Sequence, residues 1–241
     1  MSSWTTLVVC LVIAASSFVQ SSIGIGYAML ATAVLDLILH PAVSAAIIGF
    51  CAVVLGLAYS VRMFRYIKFR ICLPPMLGMM ASRALGVVTL MHMEAATATD
   101  ILGFILIAFA LYFWLFSGRV RIKPAPWKGF VLGILAGYLG GIYGLTGPFA
   151  AIYFYSVLDD NREYAACMNF SFLPSGVLGL IMHIYYGNIT VEMLPTYALS
   201  GIAVLIGVGV GVKFVNKLNY RHLARAIYLF MAAMGIVILV I

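Results

Sequence analysis

Charged side chains are scarce in this chain. Only 9% of its 241 residues are Asp, Glu, Lys or Arg, whereas 65% are hydrophobic and the mean hydropathy is +1.13. That is too little polar surface to cover a soluble globule of this length. The composition therefore predicts an all-α polytopic membrane protein, with one integral membrane domain over residues 1–241 and the lipid bilayer as its surroundings.

Motifs for metal or covalent chemistry are also missing. The four cysteines occur without a CxxC spacing or a neighbouring pair of histidines: Cys10, Cys51, Cys72 and Cys167. We therefore expect no zinc site, no disulfide framework and no cofactor, and we interpret the cysteines as buried small hydrophobes. No Gly-Lys-Ser/Thr phosphate loop occurs, so energy for any transport has to come from an ion gradient or a partner ATPase.

Basic residues are present, but they are clustered. Twelve of the fourteen lie in three groups: Arg62, Arg65, Lys68 and Arg70; Arg119, Arg121, Lys123 and Lys128; and Lys213, Lys217, Arg221 and Arg225. Only Arg83 and Arg162 lie elsewhere. Under the positive-inside rule these clusters mark cytoplasmic loops, so the net charge of +7 indicates topology and no nucleic-acid partner.

Two of the apolar segments are too short to span a bilayer. The segments run over 5–23, 25–39, 42–61, 71–91, 99–116, 129–144, 146–158, 164–185, 193–212 and 223–241. A spanning helix needs about 20 residues, and the segments 25–39 and 146–158 fall below that length. Each follows or contains a glycine-rich stretch, at 21–26 and 140–147, which predicts broken or re-entrant helices.

The two halves of the chain resemble each other at a constant offset of 120 residues. The matches include Gly24 with Gly144, Ala45-Ala46 with Ala165-Ala166, Gly56 with Gly176, Tyr66 with Tyr186 and Pro75 with Pro195. We therefore predict two repeats, about 5–117 and 128–241, joined by a basic cytoplasmic linker at 117–128.

The loop charges predict that these repeats are inverted. In the first half the loop at 62–70 is basic and the loop at 92–100 carries Glu94 and Asp100, whereas in the second half the loop at 186–192 carries only Glu192 and the loop at 213–221 is basic. Equivalent loops then lie on opposite sides, so each half crosses an odd number of times. Three spans plus a re-entrant hairpin satisfy this rule, as do five crossings of which two are short. Either pattern leaves both termini outside.

Inverted repeats with interrupted helices are typical of transporters, because free backbone N–H groups at the breaks meet in the membrane and favour an anion. The predicted walls of such a site are Ser21, Ser22, Gly24 and Gly26 from the first half and Gly141, Gly144, Thr146 and Gly147 from the second. The alternative is that these glycines serve only close helix packing.

Arg83 is the basic residue best placed to bind an anion. It lies about twelve residues into the segment 71–91, which is roughly 18 Å deep in a core of roughly 30 Å. A charge at that depth usually faces a cavity, a partner or a substrate, and a guanidinium can bind two oxygens of one oxyanion. The alternatives are that Arg83 snorkels outward or pairs with Asp36.

Two further polar residues lie in the segment 164–185. Asn169 is a mid-helix amide that either binds ligand or bonds to another helix. His183 lies near the predicted outer end of its helix, where we interpret it as an interfacial residue.

These features resemble the sulfite exporter TauE/SafE family of membrane permeases over nearly the whole chain. The resemblance rests on Gly24-Ile25-Gly26, Gly140-Gly141 to Gly147-Pro148, Ala45-Ala46, Ala165-Ala166 and the turn Tyr186-Gly187-Asn188-Ile189. It implies a prokaryotic cell membrane protein that transports a small sulfur-containing anion, such as sulfite or a sulfonate. With the residues above, it predicts alternating access at a midplane anion site, no catalytic residue and no metal.

Two other functions stay open at this point. One is a membrane subunit that acts only with a partner, and the other is an intramembrane redox enzyme that uses the cysteines or histidines. The exact substrate, the direction of transport, the coupling ion and the oligomeric state, monomer or homodimer, are left open by the sequence.

Overall fold

The computed structural model describes residues 3–24, 26–116, 123, 125–214 and 220–240, and these ranges contain helices but no strand. The helices are α1 (Ser3–Ile23), α2 (Tyr27–Leu35), α3 (Pro41–Arg62), α4 (Phe69–Met91), α5 (Ala95–Phe116), α6 (Pro126–Tyr143), α7 (Gly147–Val157), α8 (Asn161–Tyr185), α9 (Leu194–Gly211) and α10 (Tyr220–Val240). Most of the predicted linker 117–128 lies outside the described residues, as do the side chains of Arg221 and Arg225. The predicted all-helical fold is confirmed.

Six helical segments of the described chain are long and apolar enough to cross a membrane: Ser3–Ser22, Pro41–Arg62, Phe69–Met91, Ala95–Leu115, Asn161–Tyr185 and Val191–Phe214. A shorter apolar stretch, Ile227–Val240, lies in α10. The prediction of a multi-pass membrane protein is therefore confirmed. The helices α2 and α7 have 9 and 11 residues, so they are only about 14 and 17 Å long and cannot cross a core of about 30 Å.

The helices α6 and α7 form a hairpin. The chain leaves α6 at Gly144, whose φ of +74° is a left-handed conformation that suits glycine, and Pro148 then lies in the first turn of α7. A Cβ on Gly129, near the start of α6, would lie 2.8 Å from the Tyr153 ring of α7. The short helix α7 therefore runs back along α6 towards the end from which α6 began.

A second hairpin joins α1 and α2. Its turn uses Gly24 and Gly26, with φ values of +85° and +118°. Gln20 closes the turn, because its Oε1 accepts a hydrogen bond from the backbone N–H of Tyr27 at 3.1 Å. Both glycine-rich stretches thus interrupt helices, as the sequence predicts.

The helices α4 and α6 pack backbone against backbone. Gly133, Gly137 and Gly141 recur every four residues and share one face of α6. A Cβ on Gly133 would strike the Pro75 carbonyl, and one on Gly141 would lie 2.5 Å from the Arg83 carbonyl oxygen. The two helices therefore run in parallel, and the small residues allow the close approach that brings Arg83 beside the end of α6.

The helices α1 and α9 pack in the same manner. The hydroxyls of Thr6 and Thr196 lie 3.0 Å apart near the two helix starts. Further along, a Cβ on Gly207 would lie 2.6 Å from the Ala14 carbonyl oxygen. This pair is also parallel, and it joins the first helix of one half to a late helix of the other.

The helices α3 and α8 cross in the middle of the bundle in opposite directions. A Cβ on Gly56 would lie 3.0 Å from Leu173 Cγ, and one on Gly176 would lie 3.1 Å from Val53 Cγ2. The later residue of α3, Gly56, thus meets the earlier residue of α8, Leu173, so the two helices run in opposite directions. A shift of 120 residues takes Val53 to Leu173 and Gly56 to Gly176. Each of the two contacts is therefore the counterpart of the other.

One end of this crossing is held by polar contacts. Lys68 Nζ lies 2.8 Å from Glu163 Oε1, and the Tyr66 hydroxyl accepts a hydrogen bond from Arg162 Nη1 at 2.9 Å. The Glu163 carboxylate raises the pKa of the Lys68 ammonium, and the Arg162 donor lowers the pKa of the Tyr66 hydroxyl. The basic segment 62–70 therefore lies at the same end of the bundle as the start of α8.

Candidate functional site

A cavity of about 40 Å³ lies where both chain breaks meet α3, α4 and α8. Its lining comes from the α1–α2 turn, the start of α2, the middle of α3, the α6–α7 turn, the middle of α8 and Arg83. A single water needs about 10–15 Å³ of such space, so the cavity has room for roughly three water-sized groups. It suits a small ion better than a large organic molecule.

The Arg83 guanidinium is the central polar group of this cavity. Arg83 is only 4% exposed, and its Nη1 donates a hydrogen bond to Thr146 Oγ1 at 3.3 Å. Its Nε is buried and has no hydrogen-bond partner within the described chain. A buried N–H without a partner is costly, so Arg83 has unsatisfied hydrogen-bonding capacity beside the cavity.

Two glycines make room for this guanidinium. A Cβ on Gly140 of α6 would collide with Arg83 Nη1 and lie 2.5 Å from Thr146 Oγ1. A Cβ on Gly179 of α8 would lie 2.5 Å from Arg83 Nε. The side chain is thus held between α6 and α8 and points into the bundle, which contradicts the alternative that it snorkels outward.

The other alternative for Arg83, an ion pair with Asp36, is not observed. Across the described ranges the structure has an ion pair between Lys68 and Glu163 and none at Arg83. Arg83 is also the one formally charged side chain among the described residues that line the cavity. A fixed positive charge without a carboxylate partner favours the binding of an anion.

A pair of side-chain amides forms the opposite part of the lining. Gln20 Nε2 donates to Asn169 Oδ1 at 3.3 Å and to the Gly24 carbonyl at 3.2 Å. Asn169 Nδ2 donates to the Ala165 carbonyl at 2.8 Å. Asn169 therefore combines both predicted uses, because it bonds to another helix and also lines the cavity.

Both short helices begin at the cavity. The first residues of α2, Tyr27 and Ala28, line it, as does Gly147 at the start of α7. Backbone N–H groups in the first turn of a helix have no partner within that helix. The Tyr27 N–H is bonded to Gln20 Oε1, and the remaining N–H groups of these first turns are suited to an anion, as the sequence predicts for the breaks.

Six of the ten predicted binding residues meet at this cavity: Gly26, Arg83, Gly144, Thr146, Gly147 and Asn169. The other four are Ser21, Ser22, Gly24 and Gly141, and they contact neighbouring helices instead. Ser22 Oγ donates to the Phe18 carbonyl and to the Gly211 carbonyl, at 2.8 and 3.3 Å. We leave these four out of the candidate site, because their positions correspond to the packing alternative.

Several residues at the site were not predicted from the sequence. Gln20, Gly140 and Gly179 position the turn and the guanidinium, yet only Gln20 carries a signal, as a lone amide in an apolar helix. The interpretation of His183 as interfacial is wrong. His183 is fully buried, its Nδ1 lies 3.1 Å from Asn188 Nδ2, and its Nε2 has no partner in the described chain.

The cysteines and histidines that the structure describes do not converge on one pocket. The described residues contain no group of three or more His, Cys, Asp or Glu side chains that is suited to a metal ion. All four cysteines are free. Cys167 and Cys72 contact each other's helices near Lys68, away from the cavity lining.

Comparison with known proteins gave one family match. A family model described as "Sulfite exporter TauE/SafE" matches residues 8–238. Comparisons with curated proteins and with solved structures gave no match.

Proposed function

Since the chain belongs to the sulfite exporter TauE/SafE family, we propose that it is a secondary transporter of a small sulfur-containing anion, such as sulfite or a sulfonate. Members of this family are transporters, so the chain is a membrane permease and not an enzyme. The proposal adds a substrate class, a binding site and a mechanism of alternating access to that membership.

The observation that carries the proposal is the buried Arg83 guanidinium beside the cavity. Its Nε has no partner in the described chain, and it lines the same cavity as the starts of the short helices α2 and α7. An oxyanion there would accept hydrogen bonds from Arg83 and from the starts of α2 and α7. The second N–H of the Asn169 amide would also be available to it, since Nδ2 makes one hydrogen bond, to the Ala165 carbonyl.

We infer that the two halves are inverted repeats, about 5–117 and 128–241. Support comes from α3 and α8, which occupy equivalent places in the two halves and cross in opposite directions. A two-fold axis through the crossing would turn each helix into the other, so each contact between them should have a counterpart 120 residues away. The contacts of Gly56 and Gly176 have this relation. An axis that reverses these helices lies in the plane of the membrane, which is the relation of inverted repeats.

The hairpins then approach the cavity from opposite sides. The hairpin α6–α7 opens towards the end of the bundle that carries Lys68, which the positive-inside rule makes cytoplasmic. The helix α9 ends near Lys213, and α1 runs parallel to it, so the hairpin α1–α2 opens towards the outside. Movement of one hairpin at a time would expose the cavity to one side at a time. In this proposed topology both termini lie outside a prokaryotic cell membrane.

Transport by the purified chain in liposomes tests the proposal. We expect saturable uptake of sulfite or methanesulfonate without any added subunit. Arg83→Gln should abolish it, whereas Arg70→Gln, an exposed arginine at the start of the same helix, should leave it close to wild type. If folded Arg83→Gln protein transports every tested anion as well as wild type does, the proposed site is contradicted. Absence of transport by folded wild type would instead favour the partner-dependent subunit.

A further inference from the structure

The cavity offers a bound ion one formal positive charge, that of Arg83. We propose that the transported species is a monoanion, such as a sulfonate or hydrogen sulfite, and that dianions such as sulfate and fully ionised sulfite are rejected. This inference rests on the proposed anion site and specifies the charge of its substrate.

The first argument is the charge balance of the occupied site. Arg83 is 4% exposed and has no carboxylate partner in the described chain. A monoanion beside it makes the site neutral, whereas a dianion leaves one negative charge uncompensated. An uncompensated charge in the middle of a bilayer is disfavoured by roughly a hundredfold or more on insertion scales.

The helix ends do not supply the missing charge. Each break joins the end of a long helix to the start of a short one, α1 to α2 and α6 to α7. A helix start carries about +0.5 charge and a helix end about −0.5, so the two contributions at a break largely cancel. The N–H groups still donate hydrogen bonds, but they add little net charge.

The other polar groups at the cavity are neutral. The Tyr27 hydroxyl donates to the Ile48 carbonyl at 3.1 Å, and the amides of Gln20 and Asn169 bond to each other. One group that could add a charge is His183 of α8, one turn beyond Gly179. On α2, Asp36 lies at the far end of the helix from the cavity and would add charge of the opposite sign.

Size points the same way as charge. A cavity of about 40 Å³ has no room for the hydration shell that a dianion keeps more strongly than a monoanion. The ion therefore has to exchange its water for the few donors of the site. Those donors are the Arg83 guanidinium, the second N–H of the Asn169 amide and backbone N–H groups. Gln20 Nε2 and the hydroxyls of Tyr27 and Thr146 already donate to oxygens of the protein.

Methanesulfonate and sulfate form a matched pair for the test. Both are tetrahedral around sulfur and similar in size, because a methyl group replaces one oxygen, but methanesulfonate carries one negative charge and sulfate two. We would measure the binding of each to the purified full chain in lipid nanodiscs by titration calorimetry. We expect sulfate to bind about a hundredfold more weakly than methanesulfonate.

Sulfite provides an independent test of charge selectivity, since it changes from monoanion to dianion near neutral pH. Its apparent affinity should fall from mildly acidic to mildly alkaline buffer in proportion to the hydrogen sulfite fraction. Methanesulfonate keeps its charge over that interval, so its affinity reports any titration of His183 separately. A constant methanesulfonate affinity with a falling sulfite affinity would support the proposal.

The possible failures are distinguishable. If sulfate binds within about tenfold of methanesulfonate, or if sulfite binds more tightly as it loses its proton, the monoanion proposal is wrong. If that binding is lost in Arg83→Gln and kept in Arg70→Gln, the anion site itself stands. If no anion responds to Arg83→Gln, both the site and this inference fail.

Discussion

Replacement of Gly179 by alanine tests Arg83 without changing any charge. A Cβ at this position of α8 would lie 2.5 Å from Arg83 Nε and 3.1 Å from Nη2. Non-bonded atoms normally stay about 3.5–4.0 Å apart, so the guanidinium has to move by about 1 Å. Gly140 and Thr146 bound the opposite side, so the movement changes the direction of the free Nε–H.

The expected loss follows from this displacement. A shift of about 1 Å in a positioned group costs up to about a hundredfold, so we expect anion affinity to fall by about ten- to a hundredfold, or about 1.4–2.8 kcal/mol. The fold should persist, because the new methyl group meets the flexible end of a side chain and not the backbone. The effect should therefore appear in binding with little change in thermal unfolding.

Calorimetric titration of methanesulfonate into Gly179→Ala protein is the assay, with Gly201→Ala as the matched control. A Cβ on Gly201 of α9 would lie 3.6 Å from the Phe50 ring, which is an ordinary contact, so that variant should bind as wild type does. If folded Gly179→Ala protein keeps wild-type affinity, the assignment of Arg83 as the anion-binding charge is refuted.

Three further predictions concern packing, the turn and one bundle end. Gly86→Ala should destabilise the protein by about 1–3 kcal/mol, because its Cβ would strike the α6 backbone. The control Gly209→Ala should not, because its Cβ would lie 3.5 Å from the nearest atom. Thermal unfolding in detergent measures the stability of both variants. Gln20→Ala removes the amide that closes the α1–α2 turn and should cost about 1–3 kcal/mol in the same assay, and an unchanged unfolding midpoint would contradict that role. Glu163→Gln removes an ion pair beside the buried thiol of Cys167 and should speed its maleimide labelling, as read by peptide mass spectrometry; an unchanged rate would show that the ion pair does not hold this end closed.

The polar groups of the cavity have no polar counterpart 120 residues away. Positions 120 residues away carry glycine or alanine in each case: Gly140 for Gln20, Gly26 for Thr146, Gly49 for Asn169 and Ala203 for Arg83. A Cβ on Gly49 would meet nothing within 4 Å. In each of these four pairs of positions one residue is polar and the other is glycine or alanine, so the described lining of the cavity has a single charged side chain.

The two helix breaks were predictable because their causes are local. The short segments predicted at 25–39 and 146–158 became α2 (Tyr27–Leu35) and α7 (Gly147–Val157). Glycine tolerates the left-handed turn, proline suits the first turn of a helix, and both preferences belong to single residues and their neighbours. The same reasoning placed Arg83 at depth from its distance along one helix.

The roles of individual glycines were not predictable. Gly141 and Gly144 are three residues apart, yet Gly141 packs on the α4 backbone and Gly144 lines the cavity. Gly141 lies within α6 and Gly144 is the left-handed residue that ends it, but which of them faces the cavity depends on how α6 packs against its neighbouring helices. The same applies to Gly179, whose use as space for Arg83 depends on a residue almost a hundred positions earlier.

By itself the sequence determined the membrane environment, the family, the helical class and the position of the breaks. These properties follow from composition, from segment length against the bilayer, and from conformational preferences of single residues. The tertiary structure alone decided that both breaks meet Arg83 at one cavity, that Gln20 and Asn169 complete it, and that His183 is buried. Such properties depend on how helices from different parts of the chain face one another, and that is set by side-chain contacts between them and not by any one segment.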